Sequence, residues 1–105
     1  MGLFSKEITV NEGINRSRTE KGAYLIDIRS KEEFKAGHIK GAVNIPLEKL
    51  ELLENRVRDK AAPLYIVGSY SSRPQKTRKL LKKMGFTNYT MSGMMEEHHG
   101  LLVKG

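Results

Sequence analysis

The strongest constraint in this sequence is the run Ala23-Tyr24-Leu25-Ile26-Asp27-Ile28, a compact apolar stretch with β-branched members. A run of that length and composition reads as a buried strand. It leads straight into Arg29-Ser30-Lys31-Glu32-Glu33-Phe34, where Ser30 and Glu33 have the spacing of a capping box. A short helix therefore starts directly after the strand, and Gly37 stops it. The same alternation of short apolar runs with helical patterns continues along the chain. The sequence predicts an α/β fold with a central, mostly parallel sheet of about five strands, flanked by helices on both faces.

The other elements follow from the same signals. Glu7-Ile8-Thr9-Val10 reads as a short edge strand, and Asn11 as the cap of a first helix reaching residue 20. Gly13, Asn15 and Ser17 are weak helix formers within it. Gly41-Ala42-Val43-Asn44-Ile45-Pro46 is a second strand, closed by a proline that cannot continue a central ladder. Leu47, Leu50, Leu53 and Val57 recur at helical spacing, which predicts a helix over 47–58. Pro63-Leu64-Tyr65-Ile66-Val67 is the next buried strand, and 68–73 is a polar loop of small residues. Pro74 suits the first position of a helix. That helix turns Thr77, Leu80, Leu81 and Met84 inward and Lys76, Arg78, Lys79, Lys82 and Lys83 outward, and Gly85 ends it. Phe86-Thr87-Asn88-Tyr89-Thr90-Met91 supplies a last strand, after which Gly93 opens a C-terminal segment.

Composition narrows the chemistry. A chain of 105 residues is enough for one domain, taken as 1–105, and too short for two. It has no cysteine, which excludes disulfides, thiolate metal sites and thiol nucleophiles. No apolar run approaches the roughly 18 residues of a membrane span. The first residues lack the apolar centre of a signal peptide, and Lys6 stands where a myristoylation signal wants Ser or Thr. A soluble, cytoplasmic protein is expected, with no membrane partner. Nineteen Lys and Arg against twelve Asp and Glu leave a formal charge of +7. That balance favours anionic partners or simply a solvated basic surface, and the second reading is preferred.

Several smaller features carry little chemistry. Glu96-Glu97-His98-His99 offers metal-ligating atoms, but adjacent residues rarely converge on one ion, so no metal and no cofactor are expected. The basic helix lacks an aromatic platform beside it, which argues against nucleic acid. Met91, Met94 and Met95 are taken as core filler. Asp27 and Arg29 lie at the exit of a buried strand, where they can fix the next turn by charge-assisted hydrogen bonds. His38, between Gly37 and Gly41, is read as a framework histidine whose ring nitrogens hold that turn.

Taken together, Leu25-Ile26-Asp27-Ile28-Arg29, Glu33-Phe34, Gly37-His38-Ile39, Gly41-Ala42 and Asn44-Ile45-Pro46 closely resemble the first half of a rhodanese homology domain. Leu64-Tyr65-Ile66-Val67 resembles the strand before that family's active loop. Leu80-Leu81 and Met84-Gly85-Phe86-Thr87-Asn88 resemble the helix and strand that follow it. The resemblance implies a small rhodanese-like domain, related to the single-domain sulfurtransferases. It also implies that Asp27, Arg29 and His38 are supporting framework.

The resemblance fails at one decisive position. In single-domain rhodaneses the strand ends in a cysteine, followed by a loop whose last residue is arginine. Here Gly68 falls at the cysteine and Arg73 at the arginine, with Ser69, Tyr70, Ser71 and Ser72 between them. The six-residue length matches the sulfurtransferases, whereas the related cell-cycle phosphatases and arsenate reductases use a loop one residue longer. Such a loop aims successive backbone N–H groups at one spot above a helix N-terminus, which favours negative charge. A cysteine there carries sulfane sulfur as a persulfide and passes it on. Gly68 has no side chain, and the serines have no base beside them. Ser71 replaces a usual glycine, Pro74 a usual serine, and Met94 the second of two usual glycines.

The chain is therefore expected to have the family fold without sulfur transfer, and its catalytic set is not intact. Residues 68–73 remain as a candidate site for a small anion such as sulfate or a thiosulfate-like group, or for a protein partner, in a binding or regulatory role. Two alternatives stand beside this reading. One is a member or engineered variant of a working sulfurtransferase whose cysteine has been replaced. The other is a basic binder of nucleic acid or acidic protein.

Overall fold

A computed structural model describes residues 7–105. Four strands, β1 (Tyr24–Asp27), β2 (Val43–Asn44), β3 (Leu64–Gly68) and β4 (Tyr89–Met94), form one sheet in the order β2-β1-β3-β4. Every strand pair is parallel. The α/β architecture is the expected one, with four strands instead of about five.

The missing strand is the N-terminal one. Glu7 makes only an isolated parallel bridge to Met91, and helix α1 (Val10–Thr19) has already begun at Val10. Its cap is Thr9, not Asn11. The Thr9 hydroxyl accepts from the Glu12 N–H, and the Glu12 carboxylate accepts from the Thr9 N–H, so two otherwise unpaired donors are satisfied reciprocally. That capping box converts the expected strand into the entry of a helix. Gly13, a weak helix former, is there for contact: an ideal Cβ on it would sit 2.5 Å from the Ser92 Cβ. Helix α1 therefore lies close against β4.

Helix α2 (Lys31–Ala36) begins at the Ser30–Glu33 capping box and ends at Gly37. The stretch predicted as one helix over 47–58 is a 3-10 segment, Leu47–Leu52, followed by the short α3 (Leu53–Arg56). Its leucines at 47, 50 and 53 are three apart, which is the 3-10 repeat, and only the step to Val57 has α spacing. Lys49, at φ −123° and ψ 29°, breaks the helical path. Helix α4 (Pro74–Lys83) has Pro74 in its first turn.

Side chains alternate across the sheet and build a core on each face. Val10 and Ile14 of α1 pack with Leu25, Ile39, Tyr65, Val67 and Met95 on one face. On the other, Ile26, Leu64 and Ile66 meet Leu50, Leu53 and Val57 together with Leu81 and Phe86. Thr77 and Leu81 of α4 are buried and Leu80 and Met84 half-buried, with Lys76, Lys79, Lys82 and Lys83 exposed. Arg78 is partly covered and pairs with Glu7 at 2.7 Å. Met91 and Met95 are buried, and Met94 is half-buried at the strand end.

The last strand starts three residues later than predicted. Gly85, at φ +96°, turns the chain so that its own N–H and that of Phe86 return to the carbonyls of Lys82 and Leu81. Phe86 is thereby spent on closing the helix and anchoring the core, under the Lys60 ammonium 4.4 Å from its ring centre. At its far end β4 runs through Gly93 instead of stopping before it. Ile66 pairs with Met91 but Gly68 with Met94, so β4 carries an extra residue there, and Gly93 takes φ +78°. This bulge lies beside the point where β3 hands over to the loop.

Candidate functional site

Gly68 ends β3, and residues 69–73 carry the chain to α4. Ser69 is buried, whereas Tyr70 is 72% exposed and Ser71 and Arg73 are open to solvent. The loop closes on itself through its serines. The Ser69 N–H donates to Ser72 Oγ at 2.9 Å, the Ser72 N–H returns to the Ser69 carbonyl at 3.0 Å, and the hydroxyls of Ser69 and Ser71 lie 2.9 Å apart. The Tyr70 N–H faces Glu96 Oε2 at 3.4 Å. No non-glycine residue among those described has positive φ, so Ser71 sits in ordinary backbone space. The loop thus avoids the angle a glycine there would permit.

The space in front of Gly68 is filled. An ideal Cβ on Gly68 would lie 2.7 Å from the Ser72 Cβ, closer still to its Oγ, and 3.4 Å from Ile28 Cγ1. A hydroxyl that serves as the loop's internal acceptor thus occupies the place next to the strand end. Oxygens of the chain itself, from Ser72 and Glu96, satisfy two loop amides.

Helix α4 starts under this loop with no side-chain cap and no acidic residue in its first turn. Pro74 has no N–H to satisfy, which leaves the next amides of the turn facing outward. Arg73 supplies the cap position, and its carbonyl accepts from the Thr77 N–H and hydroxyl, both at 2.9 Å. The helix dipole and the exposed Arg73 and Lys76 give this end a positive potential.

Asp27, Arg29 and His38 form a separate knot on the neighbouring β1 side. Asp27 is completely buried, and its carboxylate accepts from the Arg29 backbone N–H at 3.0 Å and from Arg29 Nη2 at 2.8 Å. The same Nη2 donates to the Gly37 carbonyl at 2.8 Å, and Asn44 Nδ2 donates to the carbonyls of Asp27 and Arg29 at 3.0 Å. One guanidinium thus ties the exit of β1 to the end of α2. The His38 ring stacks on Phe34 at 3.7 Å, and its Nδ1 contacts the Phe34 carbonyl at 2.9 Å. Its backbone pairs in both directions with Val103 at 2.8 Å.

Of this knot, only Arg29 approaches the loop. It lines a crevice of about 150 Å³ together with Ser69, Ser71 and Ser72 and the carboxylates of Glu33 and Glu48. His38 lies elsewhere, and His98 contacts Asn11 at the start of α1 at 3.3 Å. Neither supplies a base to the serines. Glu96 was visible in the sequence only as one of four adjacent polar residues, since its reach to Tyr70 across 26 positions depends on the sheet. Nor does any local signal announce Ser72 as the group that fills the loop.

The sequence pattern of the rhodanese-like domain matches residues 9–98. An uncharacterised protein of Bacillus subtilis, YqhL, is 40% identical over 80 residues, covering 74% of this chain and 62% of that protein. The match therefore spans less than two thirds of that relative. The thiosulfate sulfurtransferase PspE of Escherichia coli is 28% identical over 83 residues, 78% of this chain and 80% of that one. Among solved structures, a rhodanese with anions from E. coli superposes with a TM-score of 0.69 at 27% identity, over 79% of this chain and 99% of that one. A single-domain sulfurtransferase of Saccharomyces cerevisiae, RDL2, shares the fold, with a TM-score of 0.71 over 89% and 87% of the two chains at 17% identity. A match from residue 9 to residue 98, on a parallel sheet of the same form, establishes that this chain belongs to the rhodanese-like domain family.

Proposed function

We propose that this domain binds an anionic group, free or carried by a protein partner, at the loop 68–73 and the first turn of α4, without transferring sulfur. The chemical half follows from the family and the composition. Rhodanese-type transfer needs a thiolate to hold the sulfane sulfur, and a chain with no cysteine has none. The serines do not replace it, because their hydroxyls are engaged with the loop itself and a hydroxyl does not form a persulfide.

The observation that carries the binding half is the uncapped start of α4. A helix end with outward amides, no carboxylate in its first turn, and Arg73 and Lys76 at its edge accepts an anion by hydrogen bonding and by its dipole. The Tyr70 amide joins this set only when Glu96, which accepts from it at 3.4 Å, moves aside. The packing of Ser72 against Gly68 supports a loop fitted to glycine, which favours this reading over a sulfurtransferase altered only at the cysteine position. The exposed lysines of α4 support an acidic protein as the anion's carrier.

Two measurements test the proposal. Amide shifts on adding sulfate or thiosulfate are expected to cluster between Ser69 and Lys76, and shifts scattered over all basic residues would overturn the binding half. A thiosulfate:cyanide assay is expected to show no turnover above a loop-deleted control. Turnover above that control would sink the chemical half.

A further inference from the structure

A second concavity lies away from the loop. A cleft of about 510 Å³ opens between the side of α1 that carries Asn11, Ile14 and Arg18 and the segment 98–103, and no residue from Gly68 to Arg73 lines it. Its volume falls within the range of small-molecule sites. The apolar part of its wall is Ile14 and Ile39, both buried, with Val103 and Leu101 at the rim. Leu101 is 96% exposed, an apolar side chain left in water at the cleft mouth.

The charged groups of the wall have one sign. Arg18 and Lys40 line the cleft, and no Asp or Glu does. Arg18 Nη2 donates to the Lys40 carbonyl at 3.2 Å, which holds the guanidinium at the edge and engages one of its five N–H donors. His98 lines the same cleft. Its Nε2 is buried with no hydrogen-bond partner, the one such side-chain atom among the described residues. Buried polar atoms are rarely left so. Gly100 lies against that ring edge, where an ideal Cβ would sit 2.9 Å from Nε2, so a carboxylate in the cleft gains this partner only when the ring turns toward it.

We propose that this cleft binds a small amphiphilic monocarboxylate, its head group between Arg18, Lys40 and His98 and its apolar body along Ile14, Ile39 and Leu101. The wall combines a mostly apolar surface with cations and no carboxylate, so it complements a ligand with one negative head and a hydrocarbon tail. A small inorganic anion leaves the apolar wall wet, and a neutral chain leaves the cations unpaired. The site is separate from the loop and does not rest on the reading of the loop.

The test is a titration of the full chain with octanoate, followed by amide shifts, with octanol and sulfate as comparison ligands. Saturable shifts are expected at Ile14, Arg18, Lys40, His98 and Leu101 with octanoate, with binding of octanol about tenfold weaker or more. Arg18→Gln is expected to weaken octanoate by a similar factor. Leu101→Asp is expected to abolish binding and leave the melting temperature unchanged, because the side chain it replaces is exposed. Equal affinity for octanol and octanoate overturns the proposal. So do shifts confined to the loop and α4, unchanged binding by Leu101→Asp, or no saturation below about 10 mM.

Discussion

The Ser72 side chain occupies the volume that any side chain at Gly68 would need, and its Oγ accepts the Ser69 N–H at 2.9 Å. Restoring the family's cysteine is therefore a packing problem before it is a chemical one. Gly68→Cys alone is expected to lower stability by about 1–3 kcal/mol, because the new Cβ and Sγ must displace the Ser72 side chain. No thiosulfate:cyanide turnover is expected from it. Gly68→Cys with Ser72→Gly opens the space and is expected to recover much of that stability, measured by urea unfolding. A single variant as stable as the parent would show that the loop is not fitted to glycine.

The buried Asp27–Arg29 pair ties three segments together: the end of β1, the turn after it and the Gly37 carbonyl. Asp27→Asn leaves the guanidinium, only 10% exposed at its side chain, without its counter-charge. Removing one partner of such a pair costs about 3–5 kcal/mol. The expected result in denaturant unfolding is a loss in that range, with the His38 turn showing faster amide exchange than the α4 core.

The Thr9–Glu12 box decides where α1 begins, and Thr9→Ala is expected to destabilise the domain by about 1 kcal/mol. The Glu12 carboxyl lies below its ordinary 4.5, chiefly because the Thr9 backbone N–H donates to it and then because the Thr9 hydroxyl does. A lowered carboxyl contributes stability above pH 4.5 and loses it as the pH falls through the folded-state value. Glu12→Gln is expected to flatten the acid limb of the stability–pH curve, and an unchanged slope below pH 4.5 would remove this role.

Tyr65, on the α1 face of β3, donates its phenol proton to Glu20. Burial first, and that hydrogen bond second, raise its pKa above the ordinary 10.0. A raised phenol contributes stability below pH 10.0 that is lost as the pH climbs through the folded-state value. Tyr65→Phe is expected to cost about 0.5–1.5 kcal/mol at neutral pH. The gap between variant and parent should narrow above pH 10.0, as read by alkaline unfolding alongside tyrosinate absorbance.

Much of the fold was legible because it rests on local rules. The β1 run, the Ser30–Glu33 box and Pro74 at the head of α4 each act within a few residues, and the structure keeps all three. The expectations that failed depend on competition between neighbours. Thr9 and Asn11 both suit a helix cap, and the choice of Thr9 follows from Glu12 three residues on. The spacing of Leu47, Leu50 and Leu53 fits two helix types, and Lys49 interrupts the path inside the 3-10 stretch. Phe86 suits a strand, yet the closing turn at Gly85 claims it for the core.

The sequence by itself determined the family pattern, the parallel α/β sheet, the absence of any thiol and the position of glycine at the strand end. These depend on residue type and near spacing, which a chain carries openly. Only the tertiary structure decided what stands in front of that glycine. The Ser72 side chain folds back onto it from four residues along the loop, while the Glu96 carboxylate, across 26 positions, and the β4 bulge reach the loop through the sheet. The cleft between α1 and the segment 98–103 likewise exists only once distant stretches are packed together. Contacts of that range follow from how elements pack, and no local pattern encodes them.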